Sequence, residues 1–144
     1  MTSKDLGIAI IGSGRIGSLR AILSAGHPAV KFLGVSDIKM ENAKKLAERC
    51  NANKYTDNNH ELISDPNVNA VIVSTSEHEH YDAVIHALEL GKPVLVEKPI
   101  ALTIHDADKM IKKAEETNPL FRVGYAQRFK RRYLSGKDQL IEGR

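Results

Sequence analysis

The turn Gly12-Ser13-Gly14-Arg15-Ile16-Gly17 most constrains what this chain can fold into. The apolar run Leu6-Gly7-Ile8-Ala9-Ile10-Ile11 precedes it and the helical pattern Arg15–Ala25 opens within it. A strand that turns at once into a helix needs glycine at set places. Gly12 permits the sharp turn, Gly14 lets a diphosphate approach the backbone, and Gly17 lets the helix lie close on the strand. The first N–H groups of the helix, at its positive end, then face an anion. A glycine-rich turn is common and by itself is a weak sign of a dinucleotide site.

A second element strengthens it. Val30-Lys31-Phe32-Leu33-Gly34-Val35-Ser36 reads as another strand, and it delivers Asp37 20 residues after Gly17. A carboxylate there accepts hydrogen bonds from both hydroxyls of an adenosine ribose and repels a 2′-phosphate. Asp37 is therefore assigned to the cofactor site together with Ile38, and NAD is expected as cofactor. Lys39 keeps NADP open. The plainer reading makes Asp37 the N-cap of the next helix, and the two roles are compatible.

A length of 144 residues suits one domain with a real core, and is short for a two-domain enzyme. With 42% hydrophobic and 27% charged residues the chain reads as an ordinary globular protein rather than a disordered one. No apolar run is long enough to cross a bilayer. Met1-Thr2-Ser3-Lys4-Asp5 leads into a strand without the features of a signal peptide. Together with the lone cysteine, this gives the expectation of a cytoplasmic protein without membrane contact. Cys50 shares a helical stripe with Ala43, Leu46 and Ala47, which marks it as a packing residue rather than a nucleophile. A net charge of +3 fits an anionic cofactor without demanding nucleic acid.

Taken in order, the first helix carries Ile16, Leu19, Ile22 and Leu23 as its expected apolar face, closed by Gly26-His27-Pro28. After strand two, the helix of Ala43 to Cys50 leads to a short third strand at residues 53–56 and a short helix at 57–63. Strand four is expected at 68–74. Tyr81, Val84, Ile85 and Leu88 then mark a helix stopped by Gly91 and Pro93. Val94-Leu95-Val96 is strand five. Thr103 and Asp106 resemble a capping box, opening a helix marked by Ala107, Met110, Ile111 and Ala114 and ended by Asn118-Pro119. Residues 120–125 make strand six, and 126–144 read as a helix leaving the domain. Strand and helix alternate throughout, which predicts an α/β fold with a doubly wound, mostly parallel sheet. Strands four and five deliver Ser74-Thr75-Ser76 and Glu97-Lys98-Pro99 to the carboxyl edge, where such sheets bind ligands.

This order of motifs resembles the glucose-fructose oxidoreductase, inositol dehydrogenase and MocA family of nicotinamide-dependent oxidoreductases. The resemblance runs over nearly the whole chain. Its supports are Gly12 to Gly17, Asp37, Ser74-Thr75-Ser76 followed by His80, then Gly91-Lys92-Pro93-Val94-Leu95-Val96-Glu97-Lys98-Pro99, and Gly124-Tyr125-Ala126-Gln127-Arg128-Phe129. It implies a Rossmann domain at residues 1–125, and a connecting segment at 126–144 towards a C-terminal α/β substrate domain absent from this chain. It further implies hydride transfer between NAD and a secondary alcohol of a sugar, inositol or related polyol, in a parent protein that is a homo-oligomer.

Position by position, the resemblance makes Lys98 the catalytic or substrate-orienting lysine beside the nicotinamide and gives Pro99 a cis peptide bond. Like charge from a cationic nicotinamide helps such a lysine accept a proton. Cofactor contacts fall to Gly12, Ser13, Gly14, Arg15, Ile16, Gly17, Asp37, Ile38, Ser74, Thr75, His80, Glu97, Lys98 and Gln127. Two matches are imperfect: family members often carry proline where Ser76 stands, and here Gln127 directly precedes Arg128. The plainer reading of Lys98 is a surface lysine paired with Glu97. His78-Glu79-His80 is rejected as a metal site, because residues two apart on a helix do not share a face and no third ligand appears. Seven basic residues against two acidic ones between Arg122 and Arg144 read as a solvated face or domain contact rather than a nucleic-acid site. A stand-alone dinucleotide-binding or sensing module is the alternative to an enzyme.

Overall fold

The computed structural model describes residues 5–143; residues 1–4, most of the segment expected to lack signal-peptide features, and Arg144 lie outside the described residues. Six strands form one parallel sheet: β1 Leu6–Ile11, β2 Val30–Ser36, β3 Lys54–Thr56, β4 Ala70–Val73, β5 Val94–Glu97 and β6 Phe121–Gly124. Their order is β3-β2-β1-β4-β5-β6. The chain thus winds outward from β1 in both directions, as the alternation of elements predicts. The connecting helices are α1 Arg15–Ala25, α2 Met40–Cys50, α3 Asn59–Ile63, α4 His80–Glu89 and α5 Ile104–Thr117, with α6 Arg131–Ile141 following β6.

Alternation along β1 divides the core between the sheet's two faces. Ile8 and Ile10 pack with Val35, Ala21 of α1 and Leu46, Ala47 and Cys50 of α2. Ala9 and Ile11 face the other way, with Val71, Val73, Val94 and Val96 against Leu62 and Ile63 of α3, Val84 and Leu88 of α4, and Met110 of α5. Cys50 is buried as expected, and burial pushes its thiol up. Thr103 caps α5, accepting the Asp106 N–H at 3.1 Å while its hydroxyl donates to the Asp106 carboxylate at 2.7 Å. Gly91 stands at φ +66° just past α4, and Asn118 at φ +57° ends α5.

Several local expectations are corrected. The first helix does not bury Ile16, Leu19, Ile22 and Leu23, which are 36%, 51%, 43% and 60% exposed; it buries Gly17 and Ala21 instead. A Cβ at Gly17 would overlap the Gly12 carbonyl. The helix is therefore pressed onto the turn through its small residues, and the large ones face outward. Ile111, expected on the buried stripe of α5, lies at its exposed rim. The N-cap of α2 is Lys39 and not Asp37, whose carboxylate accepts the Lys39 N–H two residues on at 3.0 Å. Strand four is shorter than expected because its first residues turn back: the Val68 N–H donates to the Asp65 carbonyl.

Beyond β3, charge is organised around Asp65. Its carboxylate accepts the Asn67 N–H at 2.9 Å and the Lys54 ammonium at 3.1 Å, and Lys54 also pairs with Glu61 at 2.9 Å. The Asn67 N–H, and then Lys54, hold the Asp65 carboxyl below the usual aspartate value against the opposing effect of burial. Lys92 reaches the end of α3, donating to the Ile63 carbonyl at 2.5 Å and the Asp65 carbonyl at 3.1 Å, and burial pushes its ammonium down.

Candidate functional site

Two adjoining cavities open at the carboxyl edge of the sheet, where β1 and β4 carry chains in opposite directions around the fold. The first, about 390 Å³, is lined among others by Gly12, Gly14, Arg15, Asp37, Ile38 and Thr75. Gly12 turns the chain at φ +96°. A Cβ at Gly14 would meet no protein atom within 4 Å, so this glycine leaves open space beside the backbone. No side chain caps α1; its first-turn N–H groups are left for a ligand. Asp37 Oδ2 accepts the Ser13 N–H at 3.0 Å, while Oδ1 accepts the Lys39 N–H at 3.0 Å and the Asn42 amide at 3.3 Å. This fixes the carboxylate at the cavity wall with one lone pair to spare, on Oδ2.

The second cavity, about 770 Å³, is lined by residues that include Arg15, Ile16, Ser74, Thr75, Glu97, Lys98 and Gln127. Four residues, Arg15, Ile16, Ser74 and Thr75, line both, so the two cavities adjoin at the glycine turn. Ser74 ties the ends of β4 and β1 together, its hydroxyl donating to the Ile11 and Gly12 carbonyls at 3.2 and 3.3 Å. The Lys98–Pro99 bond is cis. Glu97 turns away from Lys98 to Arg20 of α1, which donates to its Oε1 from Nε at 2.8 Å and Nη2 at 2.5 Å.

The structure brings together most of the residues read from the sequence. Gly12, Gly14, Arg15, Ile16, Asp37, Ile38, Ser74, Thr75, Glu97, Lys98 and Gln127 line one or both cavities. Ser13, Gly17 and His80 line neither. Ser13 serves through its backbone N–H on Asp37, and its hydroxyl donates to the Ser36 carbonyl at 3.2 Å. His80 is 1% exposed, with Nδ1 3.0 Å from the Pro99 carbonyl oxygen and Nε2 3.3 Å from that of Thr75. It fills the space between the two loops, and as the neutral ring it donates to one of these two carbonyls.

Sequence reasoning missed Arg20, Asn42, Asn59 and Tyr125. Asn59 lines the first cavity and contacts the Ser36 hydroxyl at 2.7 Å. Asn42 had a signal, since it lies five residues past Asp37, in the first turn of α2, and can reach back. Arg20 and Asn59 had none, because their partners lie far along the chain. His78 is exposed, and among the described residues no group of three or more His, Cys, Asp or Glu could hold a metal ion.

Comparison with known proteins follows the same outline. The family described as GFO_IDH_MocA, an oxidoreductase family with an NAD-binding Rossmann fold, matches residues 6–125. The chain is 33% identical over 137 residues to myo-inositol 2-dehydrogenase of Thermotoga maritima, covering 94% of this chain and 41% of that protein. It is 32% identical over 136 residues to scyllo-inositol 2-dehydrogenase (NAD(+)) of Bacillus subtilis, covering 94% and 40%. The crystal structure of a probable dehydrogenase from Thermotoga maritima superimposes with a TM-score of 0.88 at 33% identity, over 96% of this chain and 41% of that one. The chain spans about two fifths of the length of these relatives. With its parallel six-stranded sheet, its glycine turn and Asp37 at the end of β2, the chain belongs to the GFO_IDH_MocA oxidoreductase family and is an NAD-binding Rossmann domain of that family.

Proposed function

We propose that this chain is the cofactor half of an NAD-dependent dehydrogenase acting on a secondary alcohol of an inositol, sugar or related polyol, with Lys98 as the group that moves the hydroxyl proton. The observation that carries this reading is a pair of adjoining cavities at the carboxyl edge of the sheet, with Asp37 in the wall of one and Lys98 in the wall of the other. The residues present fit the cofactor. Asp37 suits a ribose diol, the uncapped start of α1 and the open backbone at Gly14 suit a diphosphate, and the wider cavity beyond Thr75 accommodates a nicotinamide with a small substrate.

Bound NAD supplies the hydride acceptor. The chain's own residues do the rest. Lys98, as the neutral amine, accepts the proton of the substrate hydroxyl while the carbon-bound hydrogen leaves as hydride, so a ketone and a protonated lysine result. Among the described residues Lys98 makes no ion pair, and its neighbour Glu97 is held by Arg20. That disfavours the plain surface pair Lys98–Glu97. Gln127 and Thr75 place an amide and a hydroxyl along the same wall. Residues 1–125 form the cofactor domain in this reading. Residues 126–144 begin the connection to a further domain supplying the remaining substrate contacts and the contacts of a homo-oligomer.

Calorimetric titration with NAD and NADP tests the cofactor half. Saturable binding with NAD the tighter ligand is expected, and binding of neither overturns the reading. In the full-length protein, Lys98→Ala should lower kcat by about 100-fold with little change in NAD affinity. An unchanged kcat would return Lys98 to the role of a surface lysine.

A further inference from the structure

We propose that Arg20 is a positioning residue for Lys98. By holding Glu97 in an ion pair, it keeps that carboxylate off the neighbouring lysine and leaves the Lys98 amine free to act. The inference rests on the reading of Lys98 as the proton-moving group.

The geometry follows from the pleat of β5. Val94 and Val96 point into the core beneath α4, so Leu95 and Glu97 point to the opposite face, towards α1. There Arg20, three residues past Gly17, lays its guanidinium along one carboxylate oxygen through both Nε and Nη2. The side chains of Arg20 and Glu97 are 25% and 13% exposed, so water screens this pair less than a pair on the open surface. The strand beside it leaves room: a Cβ at Gly124 of β6 would lie 2.9 Å from Glu97 Oε2. Glu97 is thus held by a cation on one side and admitted by a bare backbone on the other. Past Lys98, the Pro99 carbonyl is fastened to His80. The loop is anchored on both sides of Lys98 and not at Lys98.

Freed from Arg20, a carboxylate adjacent in the chain would attract the ammonium form of Lys98 and oppose its work as a base. Arg20 cancels that charge. Arg15, Glu77 and Arg128 share the cavity wall with Lys98 and stay unchanged in every variant below.

The test is the rate at which Lys98 is acetylated by acetic anhydride in the 144-residue chain at low ionic strength, read by mass spectrometry against the chain's other lysines. Arg20→Met should slow Lys98 by about threefold, the size of effect a partly screened charge exerts. Arg20→Lys, which keeps the charge without the fork, should fall in between. The double variant Arg20→Met with Glu97→Gln should return to within about 1.5-fold of the starting rate, because it removes the liberated charge. An unchanged rate in Arg20→Met overturns the proposal. So does a double variant as slow as the single one, since the loop rather than the charge would then be at fault. Acetylation needs no cofactor, so failure here is distinct from failure to bind NAD.

Discussion

Asp37 does two jobs with one carboxylate. Its hydrogen bonds to the Ser13 and Lys39 N–H groups close the glycine turn against the end of β2, while Oδ2 keeps one free lone pair in the wall of the first cavity. A ribose hydroxyl can donate to it, whereas a 2′-phosphate would bring like charge. Asp37→Ala should therefore weaken NAD by about tenfold, the effect of losing a charge-assisted hydrogen bond, and narrow the preference over NADP. Calorimetry with both dinucleotides measures this; an unaltered preference would remove Asp37 from the cofactor site. Such residues are legible because a spacing along the chain announces them. Arg20 is not, since its role arises from a contact across 77 residues of sequence.

Helices show where periodicity succeeds and where it misleads. In α2 the stripe Ala43, Leu46, Ala47 and Cys50 is buried as its spacing predicts, against the sheet and the small Ala21 of α1. In α1 the contact between Gly17 and the Gly12 carbonyl decides the roll of the helix, and the larger apolar residues are turned out. Around α3, stability is tied to charge. The folded Asp65 carboxyl lies below its ordinary value of 3.8. Its contribution is accordingly present in full above that value and is lost as pH falls through the lower folded value. Asp65→Asn should cost roughly 1 kcal/mol near neutral pH, with the difference from the parent chain closing as pH falls through the lowered folded value. Denaturant melts across that range measure it, and a pH-independent difference would assign the cost to packing.

Over the whole molecule, cover on the sheet is uneven. The helices α3, α4 and α5 pack on one face, and α1 and α2 pack over β1, β2 and β3 on the other. On that second face α1 reaches β5 through the Arg20 side chain paired with Glu97, and Leu95 is left half-buried. Parallel strands are ordinarily covered on both faces, so adjacent residues of β5 should respond differently. Val96→Ala, on the covered face, should cost about 2 kcal/mol, and Leu95→Gln less than about 0.5 kcal/mol. Equal losses in thermal melts would show that the second face is as tightly packed as the first. The alternation of elements, the glycine turn, Asp37 and the Glu97-Lys98-Pro99 loop were all readable from the chain alone. Strand and helix periods, turn geometry and motif spacing are local properties of consecutive residues. Which face of α1 lies down, the pairing of Glu97 with Arg20 rather than Lys98, and the placing of His80 between two loops were set by folding. Each depends on which distant groups share the same few ångströms, and a linear pattern carries no term for that.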